Sequence, residues 1–482
     1  MTEKTQTPLP AYFLSLSLEN VRSFGEKQTI SFARPDGRPA QWTIILGDNG
    51  VGKTTVLKSL AGVSLFPKLP KPAKEEDGIQ IDLWKELGVS KSAEAEPAYT
   101  KIWKVWPAIR NGRQSNNEIR KDTTWGLPSS ITNNPDFKVA MFWCEACVGD
   151  VFQHSHPVSI ASYNMTARYI GSNSIGRGWS SIPYNLVSLL CYGYGAGRTI
   201  GNSTLTETPD TSDSYTSLFD DRADLLNPEE WFLQMEYSSL KQDKKAGKAL
   251  EQVRQALLLV LPDVTDIRIS SKGHQQYLEL ETPYGWVRLR DMSLGYQTLV
   301  VWLTDFASKL FLRYPDSKNP LEEPAIVLID EIDLHLHPSW QRKLLGFLSG
   351  IFKNTQFIAT AHSPLVVQAA GDEGANVVLL KREGDQTVVV TDVEDVRGWR
   401  VDQILTSSFY NLETARSLET EKKLERQAIL LNKKKLTAKE RQELDALTLE
   451  LEGQPMGSTG NEEEEAELLR QITERLGAGS SK

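Results

Sequence analysis

Gly47-Asp48-Asn49-Gly50-Val51-Gly52-Lys53-Thr54 fits the pattern G-x-x-x-x-G-K-[ST]. Residues of these types at this spacing can hold a chain of phosphates. Glycines let backbone N–H groups close around phosphate oxygens, and a helix behind them adds the positive end of its dipole. Lys53 is then placed to reach the β- and γ-phosphates, and the Thr54 hydroxyl to ligate Mg²⁺. Ile326-Val327-Leu328-Ile329 ends in Asp330-Glu331. Buried strands rarely end on two carboxylates unless those charges have partners. Beside a phosphate loop, Asp330 suits a water-mediated contact to Mg²⁺, and Glu331 suits the base that polarises the attacking water. His362 follows another apolar strand, 31 residues after Glu331. Its place matches a γ-phosphate-sensing histidine, and the alternative is a structural histidine at a strand end. Ser293-Leu294-Gly295-Tyr296-Gln297 opens a long helix 37 residues before Asp330. Free N–H groups there make an anion site with no phosphate of its own subunit beside it, which points to the nucleotide of a second copy. The plain alternative is an ordinary N-cap.

Such residues must be held by strands and helices. Leu14, Leu16 and Leu18 alternate with Ser15 and Ser17, so residues 11–46 read as strands. The run Thr43-Ile44-Ile45-Leu46 feeds the glycine loop, and residues 55–61 read as the helix behind it. Apolar strands at 325–329 and 357–360 alternate with helices at about 294–313 and 338–352, the pattern of a buried parallel sheet. Residues 217–261 read as helical, with Asn227 as N-cap and Pro228 at the first position, and 267–289 as strand-rich. Residues 64–190, rich in Pro, Gly, Ser and Asn, read as an irregular, strand-rich insertion. The charged stretch 414–482 is helix-forming. Leu424, Ala428 and Leu431 share one expected face. Thr437 and Glu440 form a capping box before a helix with Leu444, Leu447 and Leu451 on one side, and Glu462 begins a last helix.

The order of phosphate loop, signature, Asp-Glu strand and switch histidine resembles the ATP-binding cassette class, in its SMC/RecF-type branch of soluble ATPases. Ile329-Asp330-Glu331-Ile332-Asp333-Leu334-His335-Leu336-His337-Pro338 with Trp340-Gln341 resembles a narrower group, as do Gln356-Phe357-Ile358-Ala359-Thr360-Ala361-His362-Ser363-Pro364 and 399–405. That group is the PtuA-like ATPases of Septu anti-phage systems. The resemblance covers residues 12–62 and about 190–412. It implies an α/β fold, an ABC-ATPase head with a mixed, parallel sheet, and leaves the strand-rich insertion and the helical C-terminal tail, both read from the residues themselves, unexplained. The expected parts are 1–63 (core with phosphate loop), 64–190 (insertion), 191–292 (helical and β part), 293–412 (rest of the core) and 413–482 (partner-docking tail).

The resemblance further implies ATP and Mg²⁺ as ligands and a head-to-tail homodimer, or a larger homo-oligomer, with ATP sandwiched between subunits. It implies ATP contacts from Arg22, Asn49, Gly50, Gly52, Lys53, Thr54 and Thr55, and Mg²⁺ held by Thr54 and Asp330. Glu331 and His362 are its catalytic residues, Ser293 and Gly295 its contact in trans, and Asp333 and His335 its interface loop. Met292 and Leu294 depart from the usual signature, which expects a leading Leu and a Gly there. Gln80, Gln114 and Gln153 are the candidates for a glutamine-loop residue. A partner nuclease, of HNH type, and DNA reached through the complex complete the implication.

The chain has 482 residues, a formal charge of −9, 40% hydrophobic and 24% charged residues, so it reads as globular and is no uniformly basic nucleic-acid coat. No run reaches the ~18 apolar residues of a membrane span, the first ten residues lack a signal-peptide core, and three cysteines make no disulfide framework. A cytoplasmic protein is the expectation. Cys144, Cys147, His154 and His156 could supply zinc ligands, but the apolar setting of the first pair favours buried structural cysteines. Arg198 closes the glycine-rich run 192–198 and is held as a possible site residue; the alternative is a strand with a tight turn. The lysines of 66–74 and 241–248 read as solvated charge sooner than as a nucleic-acid contact. A RecF-like DNA-repair ATPase is the alternative function, disfavoured by the acidic balance. A transporter subunit is disfavoured by the insertions and the tail.

Overall fold

The computed structural model describes residues 10–19, 21–63, 79–81, 137–148, 159–170, 174–176, 180–182, 191–198, 200–201, 216–220, 223–272, 275–390, 393–412, 414–433 and 435–452. The described residues up to 404, with 408–410, form one compact unit; 405–407 and those from 411 onward form another.

The first unit is built on a six-stranded sheet. Its order is β16 (Gln386–Val390), β15 (Asn376–Glu383), β3 (Trp42–Leu46), β14 (Thr355–Thr360), β13 (Ala325–Ile329) and β9 (Cys191–Tyr194). Neighbours run parallel from β15 to β9, and β16 is an antiparallel edge. Every residue of β3, β13 and β14 is buried. Successive side chains of a strand point to opposite faces, so a sheet covered on both sides needs unbroken apolar strands. Ile44, Leu46, Val327, Ile329 and Phe357 enter the larger core, and Ile45, Ile326, Leu328 and Ile358 the smaller one. Trp42 stacks on Phe357 with ring centroids 4.2 Å apart.

The smaller core is closed by an antiparallel sheet of order β2 (Gln28–Ser31), β1 (Ala11–Glu19), β5 (Phe137–Val148), β6 (Ser159–Ile170) and β7 (Ser174–Gly176). Its strand β5 comes from the 64–190 segment and pairs along most of β1. A bulge between Phe13 and Ser15 frees a peptide group. The buried Gln356 side chain answers it, accepting from Phe13 N and donating to Phe13 O, each at 2.8 Å. A three-stranded antiparallel sheet joins β10 (Asp266–Lys272), β11 (Gln275–Thr282) and β12 (Gly285–Arg288), and β4 (Ile79–Ile81) pairs with β8 (Ser180–Ile182).

The helices of this unit include α1 (Lys53–Val63), α2 (Thr216–Phe219), α3 (Pro228–Leu240), α4 (Lys244–Val260), α5 (Leu294–Arg313), α6 (Pro338–Gln341), α7 (Leu344–Ile351), α8 (Pro364–Asp372) and α9 (Val401–Thr406), the last of which runs into the second unit. Asn227 caps α3 as expected, its side chain accepting from Glu229 N at 3.1 Å. The single helix expected over 338–352 is instead two, with Arg342 and Lys343 between α6 and α7.

The second unit holds α10 (Leu418–Leu431) and α11 (Ala438–Glu452), with exposed ion pairs Lys423–Glu450 and Arg426–Glu443 between them. The capping box forms: Thr437 N donates to Glu440 Oε2 at 3.0 Å, and Glu440 N to Thr437 Oγ1 at 3.3 Å. The face expected from Leu424, Ala428 and Leu431 is corrected. Leu430 is fully buried and Leu431 is 65% exposed. Leu430 lies six residues from Leu424, about 120° round the helix, so packing takes a neighbouring face through Gln427 and Leu430 instead. Leu451 is buried as expected. The helix expected from Glu462 lies outside the described residues. Among the described residues no helix is long and apolar enough to cross a membrane.

Candidate functional site

The site forms where β3, β13 and β14 end side by side. The loop after β3 turns through Gly47, Gly50 and Gly52 at φ +138°, +82° and +98°, values L residues rarely adopt. At Gly47 a Cβ would stand 2.3 Å from Leu380 O, and at Gly52 it would stand 2.7 Å from Ser23 Oγ. These two glycines let the loop lie against β15 and the 22–24 turn. Asn49 and Gly50 are exposed at its tip. Ser23 and Thr387 both donate to Val51 O, at 3.3 and 2.8 Å, which fixes the loop from the side.

Lys53 begins α1 and folds back over the loop. Its Nζ donates to Gly47 O at 2.6 Å and to Asp48 O at 3.0 Å, and the residue is buried. Burial lowers its pKa, while Asp330, Glu331, Asp48 and Asp333 pull the other way. Arg22, at φ +48°, places Nη1 3.4 Å from Thr55 Oγ1, and partial burial lowers its pKa.

Thr54 joins the loop to the acidic strand end. Its hydroxyl donates to Asp330 Oδ2 at 2.7 Å. Thr360, the last residue of β14, donates to Asp330 Oδ1 at 2.6 Å and accepts from Glu331 N at 2.8 Å. Asp330 N donates to Tyr194 O at 2.8 Å across the strand pair. The carboxylate is thus held from both sides at the end of an apolar strand, as its burial demands.

Glu331 sits at φ +50°, a left-handed conformation that costs a non-glycine residue about 1–3 kcal/mol. Four hydrogen bonds hold that turn. Besides the Thr360 hydroxyl on Glu331 N, Ile332 N donates to Thr360 O at 3.0 Å, and Glu331 O accepts from both Leu334 N at 3.1 Å and Arg198 Nη2 at 2.6 Å. Arg198 is buried; desolvation lowers its pKa to about 10, against the pull of Asp330, Asp333 and Glu331.

Asp333 Oδ2 accepts from His362 N at 3.0 Å and Ser363 N at 2.7 Å, so it clamps the switch segment. Ser363 Oγ donates to Gln341 Oε1 at 2.6 Å, and Gln341 Nε2 returns to Asp333 O and Leu336 O. Tyr410 OH donates to His362 O at 3.0 Å; burial and Asp333 raise its pKa, so it stays a donor. The His362 and His335 side chains are exposed, His335 at φ +64°. His337 Nδ1 caps α6 by accepting from Ser339 N at 3.3 Å.

Ser293 caps α5 by position, yet its hydroxyl makes no capping bond to its own helix and the residue is exposed. Gly295 is buried, and a Cβ there would stand 2.5 Å from His335 O. The start of α5 therefore lies against the 331–337 loop. Farther along α5, Asp305 accepts from Tyr194 OH at 2.7 Å and pairs with Lys309 at 2.8 Å, all three side chains well shielded from water. This ties α5 to the strand whose carbonyl holds Asp330 N.

The structure therefore brings together Lys53, Thr54, Asp330, Glu331, Asp333 and the His362 backbone. Arg22 and Thr55 flank them, and Ser293 and Gly295 open a neighbouring element. Thr360 and Tyr410 were not singled out by sequence. The signal for Thr360 was a hydroxyl closing an otherwise apolar buried strand; Tyr410 carried none. Oxygen donors at Thr54 and Asp330 form a set that suits a hard cation such as Mg²⁺. The Gln80 side chain, Gln114 and Gln153 lie outside the described residues, as do His154, His156 and the side chains of Cys144 and Cys147 in β5.

Residues 203–368 match the family model described as "AAA domain, putative AbiEii toxin, Type IV TA system", and residues 15–122 match one described as "AAA domain". The chain is 28% identical to Septu protein PtuA of Bacillus mycoides over 80% of its own length and 42% of the relative's. It is 39% identical to the Retron Ec83 probable ATPase of Escherichia coli over 28% of its own length and 24% of the relative's. The matches thus span less than half of these curated relatives. Among solved structures, an SMC head domain from Thermotoga maritima aligns with a TM-score of 0.37 at 14% identity, covering 79% of this chain and 99% of that one. Over the parts matched, the chain is thus similar to AAA-domain proteins and to the Septu PtuA and retron ATPases, and its loop and acidic strand end have the geometry of a P-loop nucleotide site.

Proposed function

We propose that the protein binds and hydrolyses ATP with Mg²⁺ in a homodimer or larger homo-oligomer, each ATP closed between the phosphate loop of one copy and Ser293–Gly295 of another. The observation that carries the reading is the chain of hydrogen bonds Thr54–Asp330–Thr360–Glu331, which joins the phosphate loop to the acidic strand end. Thr54 and Asp330 are the residues that would hold Mg²⁺, which when bound neutralises charge on the β- and γ-phosphates. Lys53 binds the phosphates, and Glu331 accepts the proton of the attacking water. The uncommitted Ser293 hydroxyl and the exposed His362 and His335 support a role for these residues across a subunit boundary.

Kinship with PtuA supports a place in bacterial anti-phage defence, where nucleotide state governs a partner nuclease of HNH type and DNA is met through the complex. The helical tail is the docking element for that partner, and the setting is the cytoplasm. The test uses Glu331→Gln with ATP, followed by size-exclusion with light scattering. The expected outcome is a nucleotide-trapped species of changed mass or shape, hydrolysis slowed by at least ~100-fold, and no nucleotide binding by Lys53→Ala. A Glu331→Gln protein whose hydrodynamics ignore ATP sinks the sandwich; unchanged hydrolysis removes Glu331 as the base.

A further inference from the structure

Glu331 can act as a base only if its turn aims the carboxylate at the water, and the turn is left-handed at φ +50°. Nothing in the residue itself favours that conformation. Its N–H is held by Thr360, part of the chain that also holds Asp330. Its carbonyl is held by Leu334 N at 3.1 Å within the same loop and, from 133 positions away in sequence, by Arg198 Nη2 at 2.6 Å. Arg198 is a costly residue to bury. Among the described residues its Nε has no hydrogen-bond partner, and no carboxylate forms an ion pair with it. A guanidinium spent on one backbone carbonyl, inside the protein, is out of proportion to a merely structural contact. It also lies within electrostatic reach of Asp330, Asp333 and Glu331, so its charge moderates their mutual repulsion. The run that delivers it, β9 and the following turn, is already fastened to the acidic strand through Asp330 N on Tyr194 O.

We infer that Arg198 is a positioning residue for hydrolysis: it holds the Glu331 peptide in the conformation that presents the carboxylate to water, without itself meeting the nucleotide. The inference rests on the proposed ATPase reading and deepens it. It differs from a packing role in what it predicts. Loss of the guanidinium should lower kcat and leave ATP affinity alone, and the loss should vanish once Glu331 has no base to aim.

The experiment compares wild type, Arg198→Lys, Arg198→Gln, Glu331→Gln and the double variant Arg198→Lys/Glu331→Gln, with steady-state hydrolysis and binding of a fluorescent ATP analogue. Misaiming a reacting group by about 1 Å costs on the order of 100-fold in rate. Arg198→Gln should therefore lose about 100-fold in kcat. Arg198→Lys, which keeps the charge with a less rigid donor, should lose less, and both should bind nucleotide within about 3-fold of wild type. The double variant should be no slower than Glu331→Gln. Full kcat in Arg198→Lys and Arg198→Gln overturns the inference. So does a double variant slower than Glu331→Gln by the full Arg198 factor. If Arg198→Gln fails to fold, Arg198→Lys with its binding assay decides alone. Wild-type protein that does not hydrolyse ATP, or Glu331→Gln that hydrolyses it normally, refutes the underlying reading instead.

Discussion

Thr360 serves two masters. One hydroxyl donates to Asp330 and accepts from Glu331 N, so a single side chain sets the spacing of the carboxylate that faces Thr54 and the one that follows it. Thr360→Val keeps the shape of the fully buried side chain but removes both bonds. Partners of this kind are worth about 10- to 100-fold in metal affinity or activity. Mg²⁺ titration of the ATPase rate should therefore show a right-shifted curve and a lower plateau, with the fold intact by circular dichroism. Lys53 shows a related economy: its ammonium closes on Gly47 O and Asp48 O, so the loop is already curved before a phosphate arrives.

At the scale of elements, the approach of α5 to the 331–337 loop depends on a residue with no side chain. A Cβ on Gly295 would stand 2.5 Å from the backbone of His335, which no flexible side chain can relieve. Gly295→Ala should cost about 1–3 kcal/mol of stability, seen as a lowered thermal midpoint, and should weaken ATP-dependent assembly more than ATP binding. The elements themselves were largely legible in the sequence. The loop, α1 and the apolar strands announce themselves because phosphate loops and buried strands obey local rules of spacing. Lys53, Thr54, Asp330 and Glu331 follow from those rules. Thr360 and Tyr410 do not, because their roles are set by chain segments 30 and 48 residues away that meet only in the fold. Arg198 was noticed as the end of a glycine-rich run, yet its target, a carbonyl in a left-handed turn, has no trace in composition. The Leu430 and Leu431 exchange shows the other limit: in a short charged helix the apolar spacing allows more than one face, and packing picks which is buried.

At the scale of the molecule, both hydrophobic cores consist of residues no later than Phe409, and every residue of the site lies in the first compact unit. A chain ending at Leu412 should therefore bind ATP within about 3-fold of the full protein, measured by isothermal titration, because binding energy resides in contacts it keeps. What it should lose is any response of a partner. The fastening of Tyr194 has a wider consequence. Its carbonyl steadies the acidic turn while its phenol oxygen grips the middle of the long, mostly buried helix that Ser293 opens. One tyrosine thus fastens two parts of the unit at once, the turn that carries Glu331 and the helix that Ser293 opens, so neither can shift without straining the other.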